Sequence, residues 1–145
     1  MRTVEASIII HVPPAQVLDA FIEQQHLHAW WGVNRSLVEA KPGGLYLLAW
    51  KGGAQGFDYV HTGIIKSYEP GLYLEIASFS YLHPEKQLLG PMELLLECSP
   101  HINSTYLHVR QSGYQYGGDW DWFYEVVREH WPKTLQLLKE YLERS

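Results

Sequence analysis

The strongest alternation of apolar and polar positions lies near the C-terminal end, where residues 119–143 read DWDWFYEVVREHWPKTLQLLKEYLE. Trp120, Phe123, Val127, Trp131, Leu135, Leu138 and Leu142 recur at steps of three or four, the spacing that puts side chains on one stripe of an α-helix. Glu125, Arg128, Glu129, Lys133, Gln136, Lys139, Glu140 and Glu143 fall off that stripe, which predicts a surface helix with one face laid over a core. At a rise of 1.5 Å per residue it would span roughly 36 Å, so its partner must be broad. Pro132 falls inside it and removes the bond to the Arg128 carbonyl, predicting a bent helix or two nearly collinear pieces.

Upstream the period shortens to two. Val4, Ala6, Ile8, Ile10 and Val12 alternate with Glu5, Ser7, Ile9 and His11, a first strand over 3–12 that Pro13 and Pro14 end. Val17, Leu18, Phe21 and Ile22 then predict a short helix over 14–23, with a second helical turn over 26–30. From Ser36 onward, strands are expected over 36–40, 45–51, 57–68, 72–79, 92–98 and 105–112, separated by turns such as Lys41-Pro42-Gly43-Gly44 and Glu69-Pro70-Gly71. Gly63 predicts a bulge or sharp bend, and 81–89 a mobile loop over one end of the sheet. The order is one strand, two short helices, about six further strands and a long helix. It makes an α+β single domain over 1–145, a curved antiparallel sheet of about six or seven strands wrapped around the C-terminal helix.

Composition narrows the function classes. Hydrophobic residues make 46% and charged residues 19% of the chain, a balance that folds rather than stays disordered. Six Trp, ten Tyr and four Phe are more than packing alone requires. The net charge is −5 and no Lys/Arg cluster occurs, which argues against nucleic acid as a partner. Cys98 is the only cysteine, so no internal disulfide can form, and it reads as a buried strand thiol in a reducing, cytoplasmic protein. No stretch approaches the ~18 to 20 apolar residues of a membrane span, and residues 1–12 read as a strand rather than a leader.

The segments PPAQVLDAF (13–21), HLHAWWG (26–32), KPGG (41–44), EPGLYLE (69–75), LHVRQSG (107–113) and LLKEYLE (137–143) together resemble the START-like helix-grip superfamily. Within it they are similar to the branch homologous to the C-terminal domain of the heat-shock protein 90 ATPase activator. The resemblance implies a hydrophobic cavity between sheet and long helix, used across the superfamily for lipids, polyketides and other aromatic compounds. It departs from the family's pattern where Asp119 separates Gly118 from Trp120, and Asp119 is expected to act as N-cap.

Alternation and the implied cavity select Trp31, Tyr46, Trp50, Tyr59, His61, Phe79, Tyr81 and Met92 as ligand-binding candidates on strands and loops. Trp30 and Trp31 are adjacent, so one should enter the interior while the other covers the domain's end. Tyr114, Tyr116, Trp120 and Phe123 cluster at the entry to the long helix, where GYQYGGDWDWF (113–123) reads as a gate over the cavity mouth or an aromatic plug, and Tyr114, Trp120, Phe123 and Val127 are ligand-binding candidates there and on the helix. His61 and Tyr59 are the candidate acid and base if the cavity is catalytic. His26 and His28 point apart on a helix and no HExxH occurs, so no metal and no cofactor are expected. The leading expectation is a binding domain for a small apolar or aromatic molecule. The alternatives are a polyketide cyclase/dehydratase- or hydrolase-like enzyme using the same cavity, and a co-chaperone-like interaction domain whose chaperone partner rests on the resemblance alone. Exposed strand edges also permit a homodimer.

Overall fold

The fold is described from a computed structural model covering residues 2–54 and 56–144. Seven strands are all paired antiparallel: β1 (Arg2–Ile10), β2 (Arg35–Val38), β3 (Leu45–Gly53), β4 (Gly56–Glu69), β5 (Tyr73–Leu82), β6 (Leu89–His101) and β7 (Ser104–Tyr114). Their order across the sheet is β1-β7-β6-β5-β4-β3-β2, so the first strand closes against the last. Helices α1 (Pro14–Asp19) and α2 (Gln24–Trp31) follow β1, and α3 (Asp119–Arg144) is the long helix. This is the α+β architecture read from the periodicities and the helix-grip fold that the resemblance implies.

Helix α3 runs unbroken through Pro132 and buries Trp120, Phe123, Trp131, Leu135, Leu138 and Leu142. Val127 belongs to the same stripe but is only half-buried, because it faces open space. The helix runs in the same direction as β1 and is tied to it at both ends. Asp121 pairs with Arg2 at 2.9 Å, while Lys139 donates to the Ile9 carbonyl (2.7 Å) and Glu143 accepts the His11 amide (2.8 Å). Because α3 lies along the β1 side, it does not fill the concavity over β3, β4 and β5. No helix among the described residues is long and apolar enough to cross a membrane.

Four expectations are corrected. The first helix stops at Asp19, and 20–23 continue as a turn in which Ile22 and Glu23 donate to the Asp19 carbonyl. Residues 81 and 82 extend β5 and β6 begins at Leu89, so the loop is only 83–88. The irregularity near Gly63 lies mostly on the facing strand. Thr62 pairs with Ser80 and Ile64 with Ala77, which leaves the extra residue on β5, where Ser78 has φ 52°. Gly63 itself makes room: a Cβ there would lie 2.6 Å from Ile76 Cγ2. Asp119 starts α3, but its carboxylate accepts the Gln87 amide (3.0 Å) and pairs with Lys86 instead of turning back onto the helix.

Candidate functional site

The extra residue on β5 sets up the interior. Leu74 and Ile76 face the core; past Ser78 the parity shifts by one, so Phe79 and Tyr81 face inward instead. On β4, Tyr59 and His61 face the same way, opposite Trp50 and Leu48 of β3. Helix α2 ends at Trp31, where Gly32 takes the left-handed conformation (φ 71°) that caps it. There the two adjacent indoles stack at 4.9 Å. Trp30 is buried with Nε1 donating to the Ala20 carbonyl (2.8 Å), and Trp31 turns to the interior rather than covering the end of the domain. The Trp31 carbonyl accepts Trp50 Nε1 (3.1 Å), which fixes the orientation of the second indole.

These elements enclose a cavity of about 430 Å³ under the first half of α3. Trp31, Trp50, Tyr59, His61, Phe79, Tyr81, Phe123 and Val127, all selected from the sequence, line it. Their rings form a continuous wall: Trp31 meets Trp50 at 5.5 Å and Trp131 at 5.9 Å, Trp50 meets His61 at 5.4 Å, and Tyr81 stacks on Phe123 at 5.0 Å. Tyr46, Met92, Tyr114 and Trp120 stand elsewhere. Tyr46 is sealed in the core with its hydroxyl on the Phe21 carbonyl (2.7 Å), and Met92 sits behind Gln111, whose Nε2 is 3.6 Å from its sulfur. Tyr114 and Trp120 pack edge to face at 6.3 Å beneath the start of α3, which is plug geometry, while Tyr116 lies outside on the Arg2 guanidinium.

Lys51, His83, Gln111, Trp122, Val126, His130, Trp131 and Thr134 also line the cavity and were not singled out from the sequence, although the aromatic surplus marks the half of the long helix over 120–131 as facing a pocket. Trp122, Val126, His130 and Thr134 follow at steps of four, a second row on α3 beside the core stripe. That row is the signal that could have found them.

Polar groups are few and placed. Trp131 Nε1 donates to Gln111 Oε1 at 3.0 Å, so the buried amide holds the ring against the wall. His61 lies between Phe79 (5.0 Å) and Tyr81 (4.7 Å), its Nδ1 is buried without a hydrogen-bond partner, and burial lowers its pKa to about 3. Burial, with Tyr59 nearby, raises the Tyr81 phenol to about 12. At neutral pH the site therefore offers an uncharged imidazole beside a protonated phenol. Cys98 is buried on β6 away from the cavity, and burial raises its thiol to about 12, so it is inert. His26 bonds Tyr141 (2.7 Å) and His28 the Val33 carbonyl (3.0 Å). Among the described residues no three His, Cys, Asp or Glu side chains converge to hold a metal.

Residues 11–143 match the family described as Activator of Hsp90 ATPase homolog 1-like protein. No curated protein matches the chain. Among solved structures, the fold is similar to protein MLL2253 from Mesorhizobium loti (TM-score 0.77, 19% identity, 99% of this chain and 98% of that one). It is similar also to the Aha1 dimer from Colwellia psychrerythraea (TM-score 0.75, 18% identity, 99% and 97%). CalU16 from Micromonospora echinospora has the same fold at TM-score 0.69 and 18% identity, over 97% of this chain and 74% of that one.

Proposed function

The chain belongs to the Activator of Hsp90 ATPase homolog 1-like family, and on that premise we propose that it is a binding domain for a small apolar or aromatic molecule. The observation that carries this reading is the cavity of about 430 Å³ walled by Trp31, Trp50, Tyr81, Phe123 and Trp131. The volume lies within the range of clefts that take small ligands. Pockets that take small ligands are apolar and aromatic with a few convergent polar groups, and here those groups are His61, Gln111 and Tyr59. The neutral fluorophore N-phenyl-1-naphthylamine is expected to bind with enhanced emission. Val127→Trp, which fills the cavity from α3, should weaken binding about tenfold or more while leaving the thermal midpoint within a few degrees. No uptake by the wild type would sink the reading.

A second reading, self-association, is favoured by the outer face of the sheet. Leu37 pairs with Leu47 and Leu45 with Ile64, all on the face turned away from the core, and Leu37 and Ile64 are 47% and 43% exposed. The Colwellia Aha1 structure is that of a dimer, and a second copy of this chain is the occupant this strip would take. Sedimentation should then reveal a concentration-dependent dimer that Leu37→Glu with Ile64→Lys converts to monomer without loss of fold. A wild type monomeric at all concentrations removes this reading.

A further inference from the structure

The cavity's charge runs opposite to that of the chain. The protein carries 16 Asp and Glu against 11 Lys and Arg, yet none of the carboxylates lines the cavity, whereas Lys51, His61, His83 and His130 do. Lys51 gets there by breaking a rule of strands. Its neighbour Trp50 already faces inward, so regular alternation would send Lys51 to the outer face. Instead its backbone is left-handed (φ 55°), a conformation that L side chains rarely adopt, and the side chains of Trp50 and Lys51 both border the cavity.

Once there, the ammonium has no carboxylate partner among the described residues; Lys66, Lys86 and Lys139 each have one, while Lys41 and Lys133, like Lys51, do not. Lys86 offers the contrast at the same mouth: it lies 4.6 Å over Trp122 and is neutralised by Asp119 at 3.8 Å. Lys51 instead sits 5.3 Å over the Tyr59 ring. His83 meets the same ring, 5.1 Å from it. His83 Nδ1 accepts the Glu85 amide at 3.0 Å, which puts the proton of the neutral imidazole on Nε2 and makes that nitrogen a donor. One rim of an otherwise apolar cavity therefore gathers an ammonium, an imidazole N–H and a phenol hydroxyl, with no carboxylate among the residues that line it.

We propose that the ligand is an aromatic or apolar acid: its ring system lies among Trp31, Trp50, Tyr81 and Phe123, and its anionic group meets Lys51 and His83 beside Tyr59. This rests on the binding reading above and names the chemical class that the same cavity takes. A charge-assisted hydrogen bond at the rim adds affinity that an apolar wall cannot supply, and it orients the ligand with its acid outward.

Two fluorophores of nearly identical shape separate the two claims. N-phenyl-1-naphthylamine is neutral, and 8-anilino-1-naphthalenesulfonate is the same ring system with one sulfonate added. Both are titrated into wild type, Lys51→Met and Lys51→Arg, with circular dichroism checking the fold of each. The expected result is that Lys51→Met weakens the sulfonate about tenfold and leaves the neutral probe unchanged, that Lys51→Arg restores the sulfonate, and that added salt erodes the difference. Sulfonate binding that ignores Lys51→Met while the neutral probe still binds would overturn this inference and leave the cavity reading standing. Failure of both probes on folded wild type would overturn the cavity reading, and this inference with it.

Discussion

Trp131→Ala is expected to cost about 3–5 kcal/mol of stability, read from urea denaturation as a lower midpoint at unchanged slope. Trp131 is 6% exposed and holds two roles at once. Its indole forms part of the cavity wall against Trp31 at 5.9 Å, so truncation merges the cavity with a new void that α3 cannot close without moving. Its Nε1 is also a partner of Gln111 Oε1, and Gln111 is 1% exposed on the inward row of β7, next to Leu107 and Val109. Removing the donor leaves a buried amide oxygen unpaired, a desolvation cost of about 1–3 kcal/mol in itself. The two costs separate experimentally. Trp131→Phe keeps most of the ring and loses the donor, so pairing it with Gln111→Leu, which removes the orphaned acceptor, should recover part of the loss. A Trp131→Ala variant that loses less than about 1 kcal/mol would mean that the wall collapses freely onto the cavity, and the cavity would not then be a preformed feature of the fold.

The long helix and the strand succession were legible because each rests on a local period. The stripe from Trp120 to Leu142 and the alternation in β1 need no knowledge of what packs against them. The pairing of β1 with β7 was not legible, since the register of Ile8 with Leu107 joins residues that only the closed sheet brings together. The site was legible in part, and its gaps have a common cause. Apolar positions on β5 switch from even (Leu74, Ile76) to odd (Phe79, Tyr81), which is visible in the sequence, but only the left-handed Ser78 says that one strand spans both halves. Without that, Tyr81 reads as loop. Lys51 was hidden for the same reason: a single backbone outlier overrides the alternation by which inward positions are counted. On α3, sorting residues into one apolar face and one polar face conceals the row Trp122, Val126, His130 and Thr134, which is neither core nor solvent face because it borders a cavity. Gln111, a polar residue in an apolar strand row, was the plainest cue left unread.

Acid sensitivity of the folded state should change on replacing His61 with phenylalanine. The ring is packed among Trp50, Phe79 and Tyr81, its Nδ1 has no hydrogen-bond partner, and burial brings its pKa to about 3. In the unfolded chain a histidine titrates near 6.5. Between those values the unfolded chain binds the extra proton and the folded one does not, so stability rises with pH across that window. The contribution is fully present above about pH 6.5 and is lost as pH falls toward 3. Each pH unit in the window is worth at most about 1.4 kcal/mol, a ceiling that the ring's partial exposure to the cavity lowers to roughly half. Urea denaturation at pH 7.5, 6 and 5 should therefore show wild type losing more stability than His61→Phe, the carboxylates common to both cancelling in the difference. Parallel pH curves would mean that the imidazole protonates freely through water in the cavity. The same comparison bears on chemistry, because a histidine neutral throughout the physiological range has one donor and one acceptor nitrogen but cannot serve as a cationic acid. If the neutral probe binds wild type more tightly than His61→Phe at pH 7.5, the edge of the imidazole that borders the cavity takes part in binding. If it binds both alike, the imidazole acts only through its ring faces, and the polar recognition falls to the rim at Lys51 and His83.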